Sequence, residues 1–390
     1  MSAPPARWSA TFGTSIFTEI SALAIEHNAV NLGQGFPDFP APSFIKEAAM
    51  RAIREDRNQY AHAAGVPRLR SAIADHWQRR HGMAVDGATE VTIASGATEL
   101  LHVALRAVIE PGDEVIVFEP TYDAYVPDII MAGGVARPVA LHPPEWRWDP
   151  DELRRAFGPR TRAVIVNTPH NPTGKVFSRD ELEELAALCR EFDTVAICDE
   201  VYSEIVFDGA VHVPMATLPG MRERTIAIDS MGKTFSVTGW KVGWAIAPPS
   251  LTRELRAVHQ FVTFTNSVPF QEALADSLTL AETHRYYDEL RAEYGSRRDR
   301  LTAVLRGAGL APMSARGAYF LLCDITPFGF PDDIAFCRHL CTNVGVAAIP
   351  TSVFYSDPAR APRLARFCFA KRVETIDAAA TRLQKLRPLH

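Results

Sequence analysis

Lysine is scarce in this chain. Of its 41 basic residues other than histidine only six are lysine: Lys46, Lys175, Lys233, Lys241, Lys371 and Lys385. No basic run occurs, and the net charge of −5 comes from both signs spread along 390 residues. That leaves no electrostatic footprint for nucleic acid or an anionic membrane. No apolar run approaches membrane-spanning length. The N-terminus, Met1-Ser-Ala-Pro-Pro-Ala-Arg-Trp8, lacks the apolar core of a signal peptide. None of the six cysteines (Cys189, Cys198, Cys323, Cys337, Cys341, Cys368) stands in a CxxC pair. They are expected to be reduced and mostly buried rather than a disulfide framework or metal cluster. Internal repeats and low-complexity linkers are also missing. These absences point to a cytoplasmic globular protein, and the ordinary proportions of hydrophobic (47%) and charged (22%) residues agree with one. The length exceeds a usual single core, so a large domain with a smaller one is expected.

What is present is an alternation of short apolar, β-branched runs with amphipathic stretches. Strands are expected at 91–95, 114–118, 163–167, 195–198, 225–229 and 244–247, with helices at 96–109 and 178–192 between them. Strands that are apolar throughout and separated by helices predict a mostly parallel sheet covered on both faces. Ligands of such sheets sit beyond the carboxyl ends of the strands. The polar motifs collect at those ends: Ser95-Gly-Ala, Glu119-Pro-Thr-Tyr, Asn167 to Asn171, Asp199-Glu-Val-Tyr and Ser230-Met-Gly-Lys. After about Leu280 the pattern changes. A long charged helix at 287–306, a hairpin-like stretch at 317–323, a helix near 331–343, a strand at 364–369 and a closing helix from Val373 predict a smaller α+β unit.

In a chain that uses arginine wherever charge suffices, a lysine among glycines and hydroxyls suggests an amine kept for attack on a carbonyl. Lys233 and Lys241 lie in Ser230-Met-Gly-Lys-Thr-Phe-Ser-Val-Thr-Gly-Trp-Lys-Val-Gly243. By composition alone they are equally two surface lysines in a glycine-rich loop. Asp199 closes an apolar strand, where a carboxylate is costly unless paired. It suits either a protonated ring nitrogen or the cap of a following helix. Gly96-Ala97-Thr98 opens a helix straight after a strand, a phosphate seat or an ordinary turn. Gly33-Gln-Gly35-Phe-Pro-Asp38 lacks the third glycine of a dinucleotide fingerprint, and Pro37 argues against a helix there. Tyr122 could stack on a ring or fill core. Asn171 could donate to a cofactor oxygen or organise a turn. Arg366, inside Leu-Ala-Arg-Phe-Cys-Phe, needs an anion: a substrate carboxylate or an internal salt bridge.

The order and spacing of these segments are more telling than any one of them. Asn-Leu-Gly-Gln-Gly-Phe-Pro-Asp, Asn-Gln-Tyr60, Asn-Thr-Pro-His-Asn-Pro-Thr-Gly, Asp-Glu-Val-Tyr, the Lys233–Lys241 segment and Arg-Phe-Cys-Phe follow one another from about Phe17 to Lys371. In this the chain resembles the fold-type-I, class I/II aminotransferases that depend on pyridoxal 5′-phosphate (PLP). Gln-Gly-Phe-Pro-Asp-Phe and Val-His-Gln near residue 260 bring it nearest to kynurenine/glutamine and bacterial methionine aminotransferases. The resemblance implies an α/β fold-type-I transferase: an N-terminal segment (1–44) packing with the small domain, a large PLP-binding domain (45–280) with a mostly parallel sheet between helices, and a small α+β domain (281–390). It implies that Lys233 attaches the cofactor, Asp199 pairs with its ring nitrogen, Tyr202 and Asn171 bind its phenolic oxygen, and Tyr122 stacks on its ring. Gly96, Ala97, Ser230 and Lys241 would hold the phosphate. Tyr60 would reach the phosphate of a neighbouring subunit in a homodimer. Arg366 would bind the substrate α-carboxylate with Asn171 and the backbone at Gly35, and Phe17 and Phe264 would lie near the substrate side chain. No metal is implied. The implied reaction moves the amino group of a large neutral L-amino acid (methionine, glutamine, aromatic or kynurenine) to a 2-oxo acid. A cysteine-conjugate C–S lyase on the same motifs remains open. A non-catalytic PLP-binding sensor would need a DNA-binding segment, which the chain does not offer.

Overall fold

The computed structural model describes Gly13 and residues 15–388. Its centre is a seven-stranded sheet. In chain order the strands are β1 (Val91–Ala94), β2 (Glu114–Glu119), β3 (Val135–Ala140), β4 (Thr161–Asn167), β5 (Val195–Asp199), β6 (Thr225–Ser230) and β7 (Gly243–Ile246). They lie in the order β1-β7-β6-β5-β4-β2-β3, with only β7 antiparallel to its neighbours. Alternate residues face opposite sides of the sheet. Ile116, Phe118, Val164, Val166, Ala196 and Cys198 meet Leu182, Leu185 and Cys189 of the helix Arg179–Glu191 on one face. Val115, Val117, Ala163, Ile165, Ile197 and Ile228 meet Leu100, Leu101, Val103 and Leu105 of the helix Gly96–Val108 on the other. Burial on both faces is why these strands read as unbroken apolar runs. The helix Arg179–Glu191 starts where a capping box predicts, with Ser178 and Glu181 each accepting from the other's backbone N–H.

A four-stranded antiparallel sheet, Ile349–Pro350, Leu364–Cys368, Phe320–Asp324 and Ala311–Pro312 in that order, forms a second layer. The helices Tyr286–Gly307 and Val373–Leu383 contribute Leu290, Tyr294, Leu301, Ile376 and Leu383 to its core. The helix Ile16–Glu26 inserts Ile20 and Ala24 into that same core, and Val30–Asn31 pairs in parallel with Val346–Ala347.

Strand β3 escapes the apolar-run criterion because it is the exposed edge of the sheet and contains Pro138, whose missing N–H only an edge tolerates. The helix expected near 331–343 is α-helical over Asp333–His339 and widens into a π turn at Leu340–Val344. All six cysteines are buried and unpaired. Among the described residues no helix is long and apolar enough to cross a membrane, and no cluster of His, Cys, Asp or Glu could hold a metal ion.

One close approach ties sheet to site. A Cβ placed on Gly243, the first residue of β7, would stand 2.7 Å from the Gly96 carbonyl carbon and 2.9 Å from Ala97 N. That backbone has no side-chain freedom with which to yield. Gly243→Ala should therefore lose about 1–3 kcal/mol of stability, measured by thermal unfolding, and should displace the start of the helix Gly96–Val108.

Candidate active site

The carboxyl ends of β1, β2, β4, β5 and β6 open into one cavity of about 310 Å³. Its wall includes Gly96, Ala97, Tyr122, Asn171, Asp199, Tyr202, Ser230, Lys233 and Lys241 from the strand-end motifs, and Phe17, Gly35 and Arg366 from segments far away in sequence.

Asp199 ends β5 directly opposite Asn167 at the end of β4. One carboxylate oxygen accepts from Tyr125 Oη at 2.6 Å and the other from the backbone N–H of Val201 at 3.3 Å. Burial nevertheless pushes the Asp199 carboxyl above its ordinary range, with Tyr125 and Val201 acting against that shift. Asn167 braces the same corner: its Nδ2 donates to the Asp199 carbonyl at 2.9 Å and its Oδ1 accepts from Asn171 N at 2.7 Å. The next helical element along the chain is the turn Met215–Thr217, so Asp199 does not cap a following helix.

Lys233 lies on the short helical turn Met231–Thr234 that follows β6. Its Nζ sits 5.8 Å and 5.7 Å from the ring centroids of Tyr202 and Tyr319. Burial lowers this amine to about 8, although Asp199 pulls the other way. Burial keeps the Tyr202 phenol protonated, and so able to donate.

Arg366 is 1% exposed in the middle of Leu364–Cys368. One terminal nitrogen donates to Asn171 Oδ1 and the other to the Gly33 carbonyl, both at 2.9 Å. Its Nε has no partner, and among the described residues it forms no ion pair. The rings of Phe320, Phe17 and Phe354 surround it at 4.2, 5.0 and 5.4 Å. Asp123, which also lines the cavity, acts on this cation through its charge, but no ion-pair contact satisfies it.

At the other end of the cavity, Gly96 takes a φ of +81° at the first residue of its helix. Lys241 Nζ lies 3.4 Å from where a Gly96 Cβ would stand, which sets the amine beside the first turn of the helix. Ser230, Thr98 and Thr238 complete this end.

Two expected residues are not brought in. Tyr60 is 84% exposed and lines no wall of its own chain's cavity. Phe264, expected near the substrate side chain, does not line it either. It follows the helix Pro249–Val262 with a φ of +69°, and its ring meets Tyr60 edge-on at the surface, centroids 5.6 Å apart. Conversely, Tyr125, Asn167, Asp123 and Phe320 belong to the site but did not stand out by type. Asn167 and Tyr125 flank chosen residues within quoted motifs. Phe320 becomes legible only through its pairing with Cys368, which sets Phe320 beside the Arg366 strand.

The residues present fit a planar, phosphorylated aldehyde. A buried carboxylate, an aromatic ring and an amine of lowered basicity line the same cavity as a helix N-terminus with a lysine beside it. The family model for aminotransferase class I and II matches residues 27–383. The chain belongs to the class I and II aminotransferases. It is an enzyme of the fold-type-I group, uses PLP and acts on amino acids. It is 43% identical over 374 residues to the methionine aminotransferase of Escherichia coli, covering 96% of each chain. It is 40% identical over 400 residues to human kynurenine–oxoglutarate transaminase 1, covering 95% of each. The solved structure of an N-succinyldiaminopimelate aminotransferase from Mycobacterium tuberculosis superposes with a TM-score of 0.93 at 43% identity, covering 97% of this chain and 99% of that one.

Because burial lowers Lys233 to about 8, the neutral, nucleophilic amine dominates above that pH. The rate at which the aminotransferase apoenzyme takes up PLP should rise with pH and level off above about 8. A rate still climbing towards the ordinary lysine value would contradict that environment.

Proposed function

We propose that this aminotransferase takes the amino group of a large neutral L-amino acid (methionine, glutamine, an aromatic amino acid or kynurenine) and delivers it to a 2-oxo acid in two half-reactions at one site. The observation that carries the reading is Arg366, a buried guanidinium with an unused Nε and no carboxylate partner. A substrate α-carboxylate gripped by two N–H groups would supply the missing anion. Among the described residues of the lining the cations are Lys233, Lys241 and Arg366. Each has a task in this scheme, which leaves none for an acidic side chain, and the remaining walls include Phe17, Phe36 and Phe320. The relatives are named for methionine, kynurenine and N-succinyldiaminopimelate, so identity alone does not choose the donor. The aromatic wall favours the first two.

In this scheme Gly96, Ala97, Ser230 and Lys241 would hold the phosphate, Tyr122 would stack on the ring, Asp199 would pair with the ring nitrogen, and Tyr202 and Asn171 would donate to the phenolic oxygen. PLP supplies, when bound, the aldehyde that captures the amino group and a conjugated ring that takes up the electron pair left at Cα. Asp199 would keep the ring nitrogen protonated, which is what lets such a ring accept electrons. Lys233 would serve as the base that takes the proton from substrate Cα and gives it up again, as acid, later in the same half-reaction. Arg366 fixes the carboxylate, and the aromatic wall turns the side chain away from water. Tyr60 and Phe264, with exposed Phe261 and Val262 beside them, form an apolar edge that a homodimer would cover, presenting Tyr60 to the phosphate of the neighbouring subunit.

L-Methionine added to holoenzyme without any oxo acid should change the cofactor's visible absorption stoichiometrically and release one 2-oxo acid per site, and an oxo acid should restore the spectrum. Ammonia and pyruvate from a cysteine conjugate, with methionine inert, would replace transamination by elimination. Arg366→Ala should lower kcat/KM by about 1.5–3 kcal/mol, roughly 10- to 150-fold. A loss below about 1 kcal/mol would remove the carboxylate clamp from the scheme.

A further inference from the structure

His259 is fully buried on the helix Pro249–Val262 and touches nothing in the cavity. Its Nδ1 lies 2.7 Å from Glu99 Oε1, and its Nε2 lies 3.0 Å from the Ala63 carbonyl oxygen. A carbonyl can only accept, so Nε2 carries a proton. Nδ1 and Glu99 Oε1 must share one more, since two lone pairs would repel at that distance. Wherever that proton sits, the His259–Glu99 pair has no net charge.

The place makes this matter. Glu99 belongs to the first turn of the helix Gly96–Val108, and its other oxygen accepts from Ser95 N at 2.6 Å. The same turn lines the cavity through Gly96, Ala97 and Thr98, beside Lys241. A bare carboxylate there would oppose a phosphate carrying between one and two negative charges. His259 also fixes the neighbouring backbone. Its ring holds Ala63, next to Ala64, whose carbonyl accepts from Ile93 N of β1 at 3.0 Å. Its own carbonyl accepts from Thr263 N at 3.1 Å and Phe264 N at 3.3 Å.

We propose that His259 is a positioning residue for the cofactor phosphate: it cancels the charge of Glu99 in the turn that seats the phosphate, and it ties the Tyr60 and Phe264 segments to that turn. This rests on the assignment of the helix Gly96–Val108 and Lys241 as the phosphate seat.

The test compares PLP with pyridoxal, which lacks the phosphate, through equilibrium dissociation constants read from visible absorption. His259→Gln should weaken PLP at least tenfold and pyridoxal less than twofold, and Glu99→Gln added to it should bring PLP back to within threefold of wild type. Equal weakening of both aldehydes, or no recovery in the double variant, overturns the proposal, because lost packing alone would do either. Should His259→Gln fail to fold, Glu99→Gln alone decides. PLP held within threefold of wild type, or tighter, supports the charge argument, and a tenfold loss overturns it. Lys241→Ala separates the two levels. If it leaves PLP unweakened, the phosphate seat itself is wrong. If it weakens PLP while His259→Gln does not, only the role of His259 falls.

Discussion

A carboxylate, an amine and a guanidinium are withdrawn from water around a single cavity, and no ion pair joins them. Asp199 is held by one phenol and one backbone N–H, Lys233 faces aromatic rings, and Arg366 has two neutral acceptors and one idle nitrogen. Each arrangement is costly in a protein interior. It persists because the surrounding structure is over-determined: Asp199 ends a strand buried on both faces, Lys233 sits on the turn that follows another, and Arg366 lies in the middle of a buried strand of the second sheet. The charges left without partners also record what the cavity is shaped to receive. A cationic ring nitrogen would answer Asp199, an aldehyde Lys233, and a carboxylate Arg366.

The topology does the positioning. Parallel strands bring their carboxyl ends to one edge, so the residue ending each strand projects into the same crevice. Register then sets the fine geometry. Asn167 stands opposite Asp199, which lets one amide brace both the carboxylate's backbone and the N–H of Asn171. The antiparallel strand β7 begins at the site rather than ending there, and so brings Lys241 back over the Gly96 turn. Arg366 reaches the cavity from the second sheet, joined to the first through Asn171.

The apolar strands were legible in the sequence because burial on both faces imposes one composition, and the strand-end motifs because their polar residues contrast with it. Strand β3 was not, since an exposed edge carrying Pro138 has neither signature. Among site residues, those with unusual chemistry for their surroundings (Lys233 among glycines, Asp199 and Arg366 in apolar runs) could be singled out, although each left a bland alternative open until the order of the motifs was read. Tyr125 did not, because a tyrosine in an apolar segment looks the same whether or not its hydroxyl has a partner; only the 2.6 Å contact with Asp199 distinguishes it. Sequence likewise carries no sign of which surface a ring will face, and Phe264, on a left-handed backbone, meets Tyr60 at the surface.

The parts of the site differ in what they could change. Asp199 and Arg366 are held on strands by hydrogen bonds to Tyr125, Val201, Asn171 and Gly33, and Lys233 on the turn after β6 among aromatic rings. Altering one exposes the cost of burying the others. The aromatic side chains around the remaining space come from elsewhere: Phe17 from the helix Ile16–Glu26, Phe36 from the loop after Val30–Asn31, Phe320 from the second sheet. These are held by apolar packing, where a swap of similar volume typically costs less than about 1.5 kcal/mol. The charged framework can therefore stay fixed while the wall that meets the substrate side chain is recut, and donor preference can diverge within a fold whose chemistry does not.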